Sequence, residues 1–382
     1  MLMSGEKDKW AECKDALPRY HARIVKLLKQ YMDMPEENYN LIALWIIGTY
    51  FHKMFNTFPY LYFNATKGSG KTRILKMIST LSWNGSLVGS NISEAVLFRT
   101  ASQRTLCIDE IENIHEKPAL CELLNSAYKI GLGVERMSKR KTADGEHYET
   151  EKYDVFCPVA LANISGMENV LSDRCITLIL EKSMKSKFTL KIENFDDEKE
   201  FQYIKNGLLT ATAGLLGGFQ DIYRLWNAYA DKITQESGVG VANVGVKDIH
   251  HFTEIYVSGI SGRHLEVFFP LFLMADMVSY DCLIETVAHA QILMEERNES
   301  DKDNNKDVKM VDFVKTKEAG LMEPIIRLSK EFAAFCGEDE RWHTSRSILS
   351  SLRRLNLIKS KKRLNYGWVV ILDIEKATSL ST

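Results

Sequence analysis

The chain has 382 residues, 45% hydrophobic and 26% charged, a balance that excludes disordered, collagen-like and disulfide-rich classes. At this length more than one packed unit is expected, because single cores rarely grow past about 250–300 residues. Lysine plus arginine (49) nearly matches aspartate plus glutamate (51), so the net charge is −2 and any nucleic-acid binding has to come from local basic patches.

The seven cysteines are scattered without a CxxC pair, which argues against a zinc ribbon or a disulfide framework and for reduced thiols in a cytoplasmic protein. The opening residues MLMSGEKDKW turn charged at once and carry no signal-peptide apolar stretch. The longest apolar runs, 41–51 and 267–275, are shorter than the roughly 18–20 residues that span a bilayer, so no membrane partner is expected.

In chain order, residues 6–54 read as two helices. Trp10, Leu17, Ile24 and Leu28 recur at helical spacing, Pro35 interrupts, and 38–54 forms a second, very apolar helix. Strands over 60–63, 105–108, 155–162 and 175–180 then alternate with helices over 72–81 and 118–130. That alternation predicts an α/β fold with a parallel, helix-flanked sheet. Residues 186–297 are mainly helical, with the acidic stretch 193–200 read as a solvated turn. The segment NESDKDNNKD (298–307) has no apolar residue and reads as a linker. The expected division is therefore a helical element over 1–57, an α/β core over 58–185, a helical lid over 186–297, a linker over 298–308 and a small C-terminal unit over 309–382.

Chemistry enters at Ala65-Thr66-Lys67-Gly68-Ser69-Gly70-Lys71-Thr72, directly after a strand and before a helix. This is the phosphate-loop spelling with alanine in place of the leading glycine. Gly68 and Gly70 let successive backbone N–H groups curl round a phosphate, Lys71 reaches the β- and γ-phosphates, and the Thr72 hydroxyl ligates Mg²⁺. The next strand ends in Asp109-Glu110. Asp109 would hold Mg²⁺ through water, and Glu110 would polarise the water that attacks the γ-phosphate of ATP. A small-molecule kinase has no use for such a base, so the pair points to hydrolysis. Asn163 ends a third apolar strand and suits a sensor of the γ-phosphate or the lytic water. Arg174 precedes the strand 175–180 and suits a finger reaching a neighbouring subunit's nucleotide. Arg263, opening the apolar helix 265–277, suits a second phosphate sensor in the lid.

This ordering resembles the AAA+ class of P-loop ATPases. The segments NISEAVLFRT (91–100), TLCIDEIENI (105–114) and ALANISGMENVLSDRCITLIL (160–180) look like the ATPase domain of plasmid- and phage-borne proteins that commonly follows a primase module and is thought to act as a replicative helicase. SGRHLEVFFPLFLMAD (261–276) is more loosely similar to the lid helix of minichromosome-maintenance helicases. The resemblance implies a Mg²⁺-dependent ATPase that moves or unwinds DNA in replication of a mobile element. It implies a ring of identical subunits, a hexamer, because a trans-acting Arg174 needs a neighbour. Fifty-seven upstream residues are too few for a primase, which would be a separate chain.

Two segments are candidates for DNA contact. Residues 134–155 read as a β-hairpin with its turn at Asp144-Gly145. Lys139, Arg140 and Lys141 lie towards its tip, and the resemblance places such a hairpin in the central pore on single-stranded DNA. The stretch 341–363 holds eight lysines and arginines and no acid. There Thr344 suits an N-cap for a helix over 345–355 carrying Arg346, Arg353 and Arg354 opposite its apolar face. A turn over 359–362 and two strands ending at 368–372 would follow, the outline of a winged-helix domain on duplex DNA. Its wing would carry Lys361, Lys362, Arg363 and Tyr366. His250, His251 and His264 have no metal-ligand spacing and read as surface or packing residues. Two rival readings are an origin-recognition-type initiator or helicase loader, which uses ATP as a switch on duplex DNA, and a DNA-binding regulator with a vestigial phosphate loop.

Overall fold

The computed structural model describes residues 4–65, 67–89, 93–109, 117–142, 145–163, 169–192, 195, 199–235, 250–304, 306–337, 344–365 and 367–379. It divides into two compact units, residues 1–293 and 294–382.

The first unit begins with α1 (Ser4–Tyr31) and α2 (Glu36–Thr49). Leu17, Ile24, Leu28 and Tyr31 form the buried stripe of α1, while α2 is buried nearly all round from Leu41 to Thr49. Then follow β1 (Tyr60–Ala65), α3 (Lys71–Leu81), β2 (Gly85–Val88), α4 (Glu94–Thr100), β3 (Thr105–Ile108) and α5 (Pro118–Ser126). A hairpin of β4 (Gly133–Thr142) and β5 (Gly145–Asp154) leads to β6 (Val159–Asn163), α6 (Asn169–Ser172) and β7 (Cys175–Leu180). The helices α7 (Ser186–Thr189), α8 (Lys199–Gln235), α9 (His250–Val257), α10 (Gly262–Val278) and α11 (Tyr280–Asn304) complete the run.

β1, β2, β3, β6 and β7 form one parallel sheet in the order β2-β3-β6-β1-β7. The three inner strands are buried on both faces almost throughout, which is why they read as continuous apolar runs rather than as alternation. Burial also pushes the Cys107 and Cys157 thiols up, consistent with unreactive core positions. β2 escapes the sequence pattern because it is a four-residue edge strand, half exposed along most of its length. α1 packs on α2, α8 and α10, and α2 on α10, so the N-terminal helices and the segment expected as a separate lid share one body with the sheet. The expected linker over 298–308 is helical on both sides of residue 305, and the division between the units falls within α11. Residues 298–307 lack apolar side chains but also lack glycine and proline, and an established helix propagates through such a stretch at little cost. No described helix is long and apolar enough to cross a membrane.

The second unit runs α12 (Lys306–Lys315), β8 (Met322–Pro324), α13 (Ile325–Cys336), α14 (Ser345–Arg354), β9 (Ile358–Leu364), β10 (Gly367–Leu372) and α15 (Ile374–Ser379). Its strands form an antiparallel sheet ordered β8-β10-β9. Phe313, Leu328, Phe332, Ile348, Leu352 and Val370 belong to its core. The Thr344 side chain accepts from the Ser347 N–H at 3.3 Å, the expected cap of α14. The turn expected over 359–362 is instead part of β9. The run Lys359–Arg363 is solvent-exposed and polar, so no alternation marks it, and pairing with β10 alone makes it a strand.

Gly85 starts β2 with the backbone carbonyl of Ser79 1.9 Å from where a Cβ would sit. We therefore expect Gly85→Ala to lower stability by about 1–3 kcal/mol through forced backbone movement. Chemical denaturation reads this directly, and an unchanged midpoint would contradict the close approach of α3 and β2.

Candidate nucleotide site

All five strands of the sheet run parallel, so their C-terminal ends lie at one edge, and the phosphate loop leaves β1 there. Gly68 and Gly70 have φ of +81° and +94°, a left-handed backbone that side chains resist. Gly70 is the residue before α3, and no side chain caps that helix. The first-turn N–H groups and the positive end of the helix dipole thus face the loop. Ser69 is buried with its Oγ unpartnered among the described residues. Left-handed glycines, an uncapped helix start and a buried hydroxyl lacking a partner together fit a phosphate group. Ala65 is buried at the end of β1, so the departure from a leading glycine leaves the turn intact, and Lys67 is exposed. Thr66 lies outside the described residues.

Thr72 Oγ1 donates to Asp109 Oδ2 at 2.6 Å. The hydroxyl and carboxylate expected to share a magnesium ion are therefore brought together, although β6 separates the strands that deliver them. Both are oxygen donors of the hard type that Mg²⁺ prefers. Asn163 ends β6 between them, paired in register with Asn64 of β1 and 4% exposed. Glu110 lies outside the described residues.

Beside the loop is a cavity of about 470 Å³, lined by Gly68–Arg73 together with Tyr31–Asp33 and residues of 182–189. Three residues that sequence reasoning missed build this wall. Arg73 donates to the carbonyls of Phe188 (2.9 Å) and Lys191 (2.7 Å), tying the first turn of α3 to the segment after β7. Asp33 accepts from Lys185 Nζ at 2.8 Å and from Ser183 Oγ at 2.7 Å, closing the end of α1 onto the same segment. Lys182 lays its methylene stem over Gly68, about 4.0 Å from where a Cβ would be. None of these partners is near in sequence, so only the segment's position beside the loop could have suggested them.

Arg174 and Arg263 lie elsewhere. The Arg174 carbonyl accepts from Tyr60 N–H, the first residue of β1, and its Nη1 donates to Asn125 Oδ1 at 2.7 Å. Arg263 donates to the Asp173 carbonyl at 3.1 Å, pairs with Glu266 at 2.6 Å and stacks over Tyr128 at 4.4 Å. Both arginines thus occupy the N-terminal edge of the sheet, on the order of 20 Å of strand from their own phosphate loop. That corrects the expectation for Arg263: it is not a sensor over its own chain's nucleotide. α10 is held there by the buried run Val267–Ala275, which packs it against α2.

The hairpin expected between Asp109 and Asn163 is present as β4 and β5, paired from Gly133↔Asp154 to Thr142↔Gly145. Lys139, Arg140 and Lys141 fall in its distal half, with side chains outside the described residues. Its base is anchored by Arg136, which bonds Glu94 of α4 at 2.7 Å and Glu122 of α5 at 2.9 Å and stacks on Phe98. Those bonds hold the Glu122 carboxyl below its ordinary range. In the second unit Arg346, Arg353, Lys361, Lys362 and Arg363 are all exposed, while the Arg354 side chain and Tyr366 lie outside the described residues. His264 is half-buried, and His250 and His251 open α9.

No family model matches the chain, and no curated protein matches it. Among solved structures, the "SCCmec type IV Cch - active helicase" is similar over 90% of this chain and 68% of that one, at 11% identity with a TM-score of 0.44.

Hydrogen bonds from Lys185 and Ser183 hold the Asp33 carboxyl below its usual range, and the same contact raises Lys185. A depressed carboxylate stabilises the fold in its charged form, and that contribution disappears as pH falls through the lowered value. The thermal midpoint of Asp33→Asn should therefore lie below wild type at neutral pH, with a constant gap down to about pH 4. The gap should close at lower pH, and a gap independent of pH would show that the charge is immaterial.

Proposed function

We propose that the chain is a Mg²⁺-dependent ATP hydrolase of AAA+ type that couples hydrolysis to movement along DNA, a helicase-like motor of a mobile element's replication. The observation that carries this reading is the Thr72–Asp109 hydrogen bond, which gathers the phosphate loop and the acidic strand end at one point. Gly68, Gly70 and the start of α3 would bind the phosphates, with Lys71 on the β- and γ-oxygens. Thr72 and Asp109 would hold the magnesium ion, which when bound neutralises charge on the phosphates. Asn163 would orient the lytic water and Glu110 would accept its proton. The cavity beside the loop would receive the sugar and base.

Arg174 and Arg263 would act on a neighbouring copy's triphosphate, since their own lies at the far edge of the sheet. This is the argument for a ring, a hexamer by the resemblance. The second unit, ordered helix–strand–helix–helix–strand–strand–helix, would act as a winged helix. Its exposed arginines and lysines would supply salt-dependent DNA contacts. Arg136 would transmit movement of α4 and α5 to the hairpin that carries Lys139, Arg140 and Lys141.

Steady-state ATP hydrolysis with and without DNA tests the reading. Lys71→Ala and Glu110→Gln should each lower the rate on the order of 100-fold or more. Single-stranded DNA should stimulate wild type more than duplex does, whereas the opposite preference would favour an initiator or loader. Equal rates in wild type and Lys71→Ala would overturn the hydrolase. Arg136→Ala should keep basal hydrolysis and lose the stimulation by DNA, and retention of full stimulation would remove Arg136 from the coupling path.

A further inference from the structure

The second unit contains a groove of about 630 Å³ between α14, β10 and the start of α13, within the size range of small-ligand sites. Its apolar lining includes Ile325, Ile326, Leu349 and Trp368, and its cations are Arg346 and Arg353. No carboxylate lines it among the described residues. Lys359 on β9 pairs with Asp373 and Glu375, at 3.9 and 3.4 Å.

Trp368 is the unusual member. One side of its indole packs on the core of the unit, yet the residue stays half-exposed at the groove. Ile326 beside it is 59% exposed, an apolar side chain that the fold does not cover. Arg353 Cζ and Lys361 Nζ each stand 5.8 Å from the indole centroid, at the outer limit of a cation–π contact. A planar apolar surface flanked by cations, with no carboxylate among its described lining residues, matches a ligand that is both flat and anionic.

Nucleic acid has that chemistry, but in a duplex the flat faces of the bases are hidden in the stack and only their edges are presented. A half-exposed indole can stack only on a base that has left the stack. We propose that this groove binds single-stranded DNA by taking one unstacked base against Trp368, with Arg346 and Arg353 on the flanking phosphates. The proposal rests on the reading that the chain binds DNA, but not on its ATPase chemistry. It differs from the expectation that this unit engages duplex.

The test uses the full chain and fluorescence anisotropy with two labelled probes of equal charge, a short oligothymidylate and the same sugar–phosphate chain without bases. Wild type should prefer the base-bearing strand. Trp368→Leu, which keeps apolar bulk in the core, should reduce that preference about 5- to 150-fold, the range for one base–aromatic stack, and leave the baseless probe unaffected. Trp368→Phe should retain most of the preference. Arg346→Ala with Arg353→Ala should weaken both probes alike. Undiminished preference in a folded Trp368→Leu would overturn the groove proposal, as would a duplex competing better than the single strand in wild type but not in Trp368→Leu. Photo-crosslinking of wild type to iodouracil-substituted strand gives a readout independent of any variant's folding. An adduct on the Trp368 peptide is expected, and adducts confined to other segments would refute the proposal. If neither probe bound wild type at low salt, the DNA reading itself would fail. Equal binding of both probes by every variant would remove only the groove.

Discussion

The 2.6 Å hydrogen bond between Thr72 and Asp109 joins segments whose strands are not neighbours, and the rest of the first unit follows from that requirement. For the two oxygens to meet, β1 and β3 must be parallel and end at the same height, with one strand between them. β6 fills that place, and its last residue, Asn163, arrives at the same edge through the register that pairs it with Asn64. The inner strands can be so ordered because each is buried on both faces, with helices above and below supplying the apolar cover. Packing sets the height of the strands, and their height sets the chemistry.

Charge is distributed by the same logic. The loop edge collects cations, with Lys71 at the head of α3 and Lys182 across Gly68. Arg73, by contrast, spends its donors on backbone carbonyls of 188 and 191 and acts as a brace. Asp33 braces the opposite wall through Lys185 and Ser183. The cavity beside the loop is thus framed by contacts between the end of α1, the start of α3 and the exit of β7, three places far apart in the chain.

Much of this was legible in the amino-acid order. The loop 65–72, the strand ending at Asp109 and the strand ending at Asn163 announce themselves because their chemistry is local: glycines for curvature, apolar runs for buried strands, polar ends for the site. What escaped was set by distant partners or by backbone pairing. β2 is a half-exposed edge strand with too few apolar residues to signal itself. β9 is a run of lysines and arginine that only β10 makes into a strand. The stretch 298–304 continues α11, though its polarity suggested coil. Arg136, Arg73 and Asp33 take partners as much as 152 residues away, which no local pattern encodes. The placement of Arg263 likewise depended on how α10 packs rather than on the helix itself.

That placement bears on how copies could associate. With the phosphate loop at one end of the strands and both arginines at the other, a second copy brings one to the other in two ways, antiparallel across a twofold axis or head to tail. The head-to-tail arrangement has a sense of direction: each copy presents its arginines to one neighbour and its loop to the other. It either closes, when the rotation per step divides a full circle, or grows as an open spiral. In either geometry a copy with altered arginines would keep its own loop intact and change only the surface it offers to one neighbour.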